Sequence, residues 1–205
     1  MLNFPSIIMV CGAPCSGKTY PIHYLISRNA SKLNWGYVVC FIGIQSYVFM
    51  PDEFVTEIYQ ESEIERIVDL LRDSGESAFL VLDDCMGSVN WSNNFWIKLL
   101  SGHRHWNLTI IVASHYLSKI PPFLREYTNY CFLFRQNSYR STKLLYEAFG
   151  QHGFETDREF SSFLREHTST PYTTVLYKRD ESDPQKKYIT FRAPRHRNFR
   201  LKFVY

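Results

Sequence analysis

Gly12-Ala13-Pro14-Cys15-Ser16-Gly17-Lys18-Thr19 satisfies G-x-x-x-x-G-K-[ST] at every specified position. The flanks constrain the fold as much as the motif does. Ile7-Ile8-Met9-Val10-Cys11 is a short apolar run, read as a buried strand, and Ile22, Leu25 and Ile26 behind the loop recur at helical spacing. Strand, glycine loop and helix in that order predict a phosphate cradle. Glycine lets backbone N–H groups turn inward, and the helix that follows points the positive end of its dipole at the same charge. In such a loop Lys18 reaches the β/γ oxygens of a nucleotide and the Thr19 hydroxyl binds Mg²⁺. Pro21 falls in the first helical turn, where a missing N–H costs little. Residues Gly12 to Thr19 are therefore the predicted nucleotide-binding segment.

Further apolar runs at 37–44, 78–82, 108–113 and 131–134 read as strands two to five. Between them, 52–59 reads as a short helix, and Ser62-x-x-Glu65 reads as a capping box. That box opens a helix striped by Ile64, Ile67, Val68 and Leu71 and closed at Ser74-Gly75. Segments 95–100, 142–149 and 157–165 are also expected to be helical. A terminal hairpin is expected from 172–178 and 188–192 around the polar turn DESDPQK. Strands that alternate with helices and are apolar throughout imply a parallel sheet covered on both faces. The predicted class is thus α/β, a mostly parallel central sheet with a C-terminal β-hairpin. With 205 residues and 45% hydrophobic content, the chain suits one domain with a sizeable core. Within it, 1–135 is the expected nucleotide-binding core and 136–205 the C-terminal helices and hairpin.

Ligands of such sheets bind at the carboxyl ends of the strands. Gly12, the pair Asp83-Asp84 and the pair Ser114-His115 are all expected there. Asp83 would bind the Mg²⁺ shell, and Asp84 would orient or deprotonate the attacking water; the competing reading makes Asp84 a cap for the next element. Ser114 and His115 could touch the γ-phosphate or the water, or His115 could be structural. Arg104 and Arg125 are the candidates for a guanidinium that stabilises transition-state charge, against the plainer reading of surface charges. Arg104 stands just ahead of the fourth strand. His103 and His105 flank it without further ligands at suitable spacing, so no metal site is assigned there.

Cys11, Cys15, Cys40, Cys85 and Cys131 are odd in number and include no C-x-x-C, which reads as a reducing, intracellular setting. Cys15 lies near a helix N-terminus, where a thiol can be activated, although a passive loop residue is the plainer reading. No apolar stretch approaches the ~20 residues of a membrane span, and no basic n-region precedes the first strand. The net charge of +3 decides nothing by itself. Its distribution says more: 52–76 carries nine acids and two bases, whereas 178–205 carries nine Lys/Arg and three acids. The basic end fits a DNA-facing surface or a charged sheet edge equally well.

Four stretches in order, GAPCSGKT, FLVLDD, GHRHWNLTIIVASH and KIPPFLREYTNYCFLF, resemble the FtsK–HerA superfamily of DNA-pumping ATPases. The likeness is greatest to the poxvirus-type genome-packaging ATPases. In FtsK-type pumps an arginine stands eleven residues before a glutamine that closes the fourth strand, and Arg104 and His115 keep that interval. IPPFLREYTN is similar to the family's proline-then-arginine stretch and brings in Arg125. The chain departs from the family's Thr-Gln or Ser-Gln by having Ser114-His115, which makes the charge at that position sensitive to pH. The resemblance implies a RecA/ASCE-like P-loop fold, ATP and Mg²⁺ as cofactors, and hydrolysis at the subunit interfaces of a homo-oligomeric ring, pentamer or hexamer. It also implies double-stranded DNA driven into a preformed capsid, a capsid or portal partner, and a place in the infected-cell cytoplasm or viral factory, or with the virion. Two other readings of the residues are a small-molecule or nucleoside kinase and a P-loop ATPase driving protein secretion or virion assembly.

Overall fold

Eight strands make one sheet: β1 (Ile7–Cys11), β2 (Trp35–Cys40), β3 (Val55–Thr56), β4 (Ala78–Asp83), β5 (Leu108–Ser114), β6 (Tyr130–Leu133), β7 (Thr173–Lys178) and β8 (Tyr188–Arg192). The structure, a computed structural model, describes residues 2–40 and 44–194. The strand order is β3-β2-β4-β5-β1-β6-β7-β8. Pairing is parallel from β3 through β6, and β7 and β8 add an antiparallel hairpin to that edge. β1, β4 and β5 are almost wholly buried along their lengths, which is why they read as continuous apolar runs rather than alternating ones.

The order and register place the site. β5 lies between β1 and β4, with Cys11 level with Ser114 and Asp83 level with Ala113. The segments after these three strands therefore emerge side by side at one end of the sheet.

The helices are α1 (Thr19–Asn29), α2 (Glu61–Ser74), α3 (Asn94–Gly102), α4 (Pro122–Tyr127), α5 (Tyr139–Leu145), α6 (Asp157–His167) and the short α7 (Pro184–Lys187). The connection from β1 to β2 runs one way along the sheet, whereas β3 to β4, β4 to β5 and β5 to β6 run the other way. Right-handed crossovers then set α1 against one face and α2, α3 and α4 against the other. Side-chain contacts agree: Trp96 of α3 donates its indole N–H to Glu61 of α2 at 3.0 Å, and Trp91 meets Phe123 of α4, while Tyr24 of α1 packs on Phe191 of β8.

Several local expectations are corrected. Segment 52–59 is not a helix: Asp52–Phe54 is a single 3-10 turn, and Val55–Thr56 pairs with Val38 and Val39 as β3. Two β-branched neighbours beside an open strand edge gain more from sheet pairing than from one helical turn. The helix read as starting at Ser62 begins at Glu61 behind Gln60, with no side-chain cap. Glu61 is instead engaged by Trp96, by Asn93 and by the Tyr59 hydroxyl. Among the described residues the capping box is Thr156 with Glu159, at the head of α6. The second strand ends at Cys40; residues 41–43 of the expected strand lie outside the described residues, and Ile44 begins a 3-10 turn. The polar turn of the hairpin contains α7.

The basic C-terminal segment is divided in the same way. Arg195 to Tyr205 lie outside the described residues. In the described hairpin Lys178 pairs with Glu181 and Lys186 with Asp183, while Arg179 donates to the carbonyls of Thr128 and Arg125. These side chains are thus engaged in local ion pairs and with carbonyls at the end of α4.

Candidate active site

The glycine loop turns on two residues with positive φ, Cys15 at 58° and Gly17 at 96°. Both terminal glycines are obligatory. A Cβ on Gly12 would lie 2.5 Å from Ser16 Oγ and 2.6 Å from Phe134 Cβ, and one on Gly17 would lie 2.6 Å from the Tyr172 ring. Gly12 N–H donates to Ser114 O at 3.3 Å, which ties the loop to the end of β5. Thr19 opens α1, and Ser16 Oγ is buried with no partner among the described residues. An orphaned buried hydroxyl in a glycine loop at a helix start fits a phosphate group.

Lys18 is only 6% exposed, and its Nζ donates to the carbonyls of Gly12 and Ala13, each at 3.3 Å. Burial pushes its pKa down, and the carboxylates of Asp84 and Asp83 work against that shift. Its third contact is with His115 Nδ1 at 2.5 Å. His115 Nε2 in turn meets Asp84 Oδ2 at 2.6 Å. Nδ1 also lies 3.2 Å from Gly12 O, so the same nitrogen faces both an ammonium and a carbonyl, and which it bonds follows from the tautomer. His115 thus stands between Lys18 and Asp84 and touches both side chains.

Asp83 and Asp84 are adjacent but differ. Asp83 ends β4 in regular strand geometry and accepts a hydrogen bond from Tyr47 Oη at 2.8 Å. Burial raises its pKa, the Tyr47 bond lowers it, and Asp84 beside it raises it again. Asp84 turns out of the strand with φ of 55°, its N–H held by Ala113 O at 3.1 Å. Such a left-handed residue is strained unless its surroundings hold it, and here the turn aims the second carboxylate across at His115. Thr19 and Asp83 are the residues that would hold Mg²⁺, an ion usually bound through one or two carboxylates and substrate phosphates. Among the described residues no group of three or more His, Cys, Asp or Glu could hold a metal by itself.

The other expected site residues fall outside this cluster. Ser114 Oγ is spent on the backbone of Tyr116, accepting its N–H at 3.1 Å and donating to its carbonyl at 3.2 Å. Arg104 precedes β5 and Arg125 lies in α4 ahead of β6, both at the amino ends of the strands. β5 has seven residues, a length of roughly 20 Å that separates Arg104 from His115. Neither arginine joins the site of its own chain. Cys15 is exposed, on the outer side of the loop.

Two features had no signal in the sequence. Tyr47, 1% exposed, reaches Asp83 from 36 positions away, and nothing periodic marks it. A cavity of about 310 Å³ opens beside the loop, walled by Pro14, Cys15, Phe134, Asn137 and Tyr172. Tyr172 has φ of 63° and packs on Tyr20 with ring centroids 5.1 Å apart.

No family model matches the sequence. It is 28% identical over 142 residues to Uncharacterized protein 015R of Frog virus 3 (isolate Goorha), covering 64% of this chain and 44% of that protein. It is 29% identical over 155 residues to Uncharacterized protein 075L of Invertebrate iridescent virus 6, covering 69% and 58%. The chain thus spans about half the length of these curated relatives. Among solved structures, the genome packaging NTPase B204 of Sulfolobus turreted icosahedral virus 2 in complex with sulfate superposes with a TM-score of 0.73 at 14% identity, covering 96% of this chain and 100% of that one. Its complex with ATP-gammaS gives 0.70 at 13% identity, with 94% and 100% covered. EssC ATPases 2 and 3 of Geobacillus thermodenitrificans give 0.60 at 12% identity, with 84% and 37% covered. The chain has the P-loop NTPase fold of these packaging and secretion ATPases.

Proposed function

We propose that this chain is the ATPase of a viral genome-packaging motor, hydrolysing ATP to drive double-stranded DNA into a preformed capsid. The observation that carries the reading is the superposition on B204, which takes in nearly all of this chain and all of that one. Viral relatives support it. In this reading the loop from Gly12 to Thr19 holds the phosphates of ATP, and Lys18 leaves His115 for the γ-phosphate. Thr19 and Asp83 would hold Mg²⁺, which would supply neutralising charge at the phosphates. Asp84 takes a proton from the attacking water, and His115 reports on the bond between Lys18 and the phosphate because it touches both Lys18 and Asp84. The arginine comes from a neighbouring copy in a ring of five or six, with a capsid or portal protein as docking partner and the infected cell as the setting.

The secretion-ATPase reading is favoured by one observation, the likeness to EssC, but the chain matches only 37% of that longer protein. The structural neighbours are ATPases, which does not favour the kinase alternative. Phosphate release measured with and without duplex DNA separates these readings. Turnover stimulated by DNA of any sequence is the expected result. Turnover indifferent to DNA would overturn the packaging reading, and phosphate transfer to an added nucleoside would replace it with the kinase.

A further inference from the structure

A second cavity lies away from the one beside the glycine loop. It is a cleft of about 620 Å³ between the β6–α5 connection and helix α6. On α6, Arg158, Ser161, Ser162 and Arg165 occupy positions i, i+3, i+4 and i+7, one stripe of the helix, and all four line the cleft. Arg135 faces them from the connection, with Ser138 and Thr142 nearby. No carboxylate lines the cleft. The acids of the same region are turned to other work: Asp157 accepts from the Tyr139 hydroxyl at 2.5 Å, and Glu159 closes the capping box with Thr156. Among the described residues none of the three arginines is ion-paired, in contrast to Lys178 and Lys186 of the terminal hairpin.

Resting on the packaging reading, we propose that this cleft binds the phosphodiester backbone of duplex DNA. Three features choose that ligand class. Arg158 and Arg165 are separated by seven residues of helix, roughly 10 Å, which spans more than one phosphate and exceeds a single small anion. The serines between them keep the floor low and offer hydroxyl donors, so a strand can approach the helix closely. The one aromatic residue in the lining, Tyr139, has its hydroxyl tied to Asp157, so the cleft has charge and hydroxyls for a backbone but no ladder of rings for bases. Binding here is electrostatic and independent of sequence.

The position adds a link to the nucleotide. Arg135 and Asn137 line both this cleft and the cavity beside the glycine loop. A polymer engaged on one side of the β6–α5 connection therefore presses on the same residues that border the nucleotide pocket on the other.

The test uses the full chain with a random-sequence duplex, titrated by fluorescence anisotropy at several salt concentrations, with Arg158→Ser/Arg165→Ser as the variant. Its affinity at low salt should fall about tenfold or more, and the slope of log K against log salt should flatten by about two, one for each phosphate no longer neutralised. Affinity for a fluorescent ATP analogue without DNA should not change. Arg158→Lys/Arg165→Lys should restore most of the binding, since lysine meets a phosphate as a point charge. Arg28→Ser/Lys32→Ser, which removes the same charge from the exposed far end of α1 and the turn after it, should leave the slope unaltered. Wild-type affinity and slope in the Arg158→Ser/Arg165→Ser variant would overturn the cleft proposal and leave the packaging reading standing. A wild-type chain that hydrolyses ATP yet binds no duplex would overturn both. Competition by polyglutamate equal to that of DNA at matched charge would reassign the cleft to an acidic protein segment, and loss of binding to free pyrophosphate alone would reduce it to a site for small anions.

Discussion

At the carboxyl ends of β1, β4 and β5, Lys18, Tyr47, Asp83, Asp84 and His115 form two sets of contacts within 2.8 Å, Lys18–His115–Asp84 and Tyr47–Asp83. At the amino ends of β5 and β6, Arg104 and Arg125 stand apart from that cluster by the length of the strands. Under the packaging proposal the first end would hold a triphosphate and place a base, and the second would carry the guanidinium groups for transition-state charge. A parallel sheet cannot bend one end onto the other, so under that proposal one copy of the chain could not bring the two groups together. Two copies can, if the amino end of one meets the carboxyl end of the next.

The largest effect should therefore come from the end without a pocket. Arg104→Ala is expected to lower turnover by about 10³–10⁵ while leaving nucleotide affinity intact. Arg104→Ala and Lys18→Ala, each inactive alone, should recover activity when mixed, because the Lys18→Ala copy lends its arginine to an intact pocket. Steady-state phosphate release on mixed assemblies reads this directly. Full turnover in Arg104→Ala, with loss in Arg125→Ala, would move the role to Arg125; no loss in either would break the comparison.

At the carboxyl end, Asp84→Asn keeps the shape and the contact with His115 but removes the base. Turnover is expected to fall about 10²–10⁴ with ATP binding preserved. Equal loss of binding and turnover would instead make Asp84 part of the nucleotide cradle. Lys18→Ala should show the reverse pattern, with affinity reduced by about 10²–10³ before any question of chemistry arises.

This asymmetry was only partly legible in the sequence. The glycine loop, the strand ending in Asp83-Asp84 and the strand ending in Ser114-His115 were legible because each is a local pattern, a fixed spacing or an unbroken apolar run. Their meeting followed from the rule that parallel strands share an end. The same rule places Arg104 at the far end, since it precedes its strand, and makes its distance from the site a consequence of position. Tyr47 was not legible, because a buried tyrosine that donates to a carboxylate has no periodicity; only the tertiary fold brings it there. Ser62-x-x-Glu65 and Thr156-x-x-Glu159 carry the same signature, yet only the second forms a capping box. The first yields to tertiary packing, because Trp96, Asn93 and Tyr59 converge on Glu61 and start the helix earlier. Segment 52–59 went the same way, drawn into the sheet by the open edge of β2.

Tyr47→Phe sharpens the carboxyl end at a smaller scale. Burial raises the pKa of Asp83 and the Tyr47 bond opposes it, so removing the hydroxyl raises that pKa further. Only the ionised carboxylate serves Mg²⁺, so the acid limb of Mg²⁺-dependent turnover should move to higher pH, with a loss of about tenfold at acidic pH and less near neutrality. An unshifted limb would mean that Tyr47 supports the fold and not the metal ligand.

The smallest expected effect compares the two ends through stability. For Asp83 the folded pKa is raised, so its contribution is present below the usual carboxylate value and is lost as pH rises through the folded one; at neutral pH the ionised group costs stability. His103, beside Arg104 at the other end, has the opposite sign. It is 4% exposed, donates Nδ1–H to Leu100 O at 2.6 Å, and leaves Nε2 buried without a partner among the described residues, so burial pushes its pKa below 6.5. Below that value the unfolded chain binds a proton that the folded chain resists, so stability present at neutral pH is lost as pH falls through the window beneath 6.5. His103→Gln keeps a donor for Leu100 but does not titrate. Urea unfolding from pH 7.5 to 5 should show a shallower decline in the variant, by at most about 1.4 kcal/mol per pH unit, the slope of a single proton. His152, also shifted down by burial, should supply part of the decline that remains. Identical slopes in the two proteins would mean that the amino end of the sheet carries no pH dependence of its own, and that the acid sensitivity of the fold arises elsewhere in the chain.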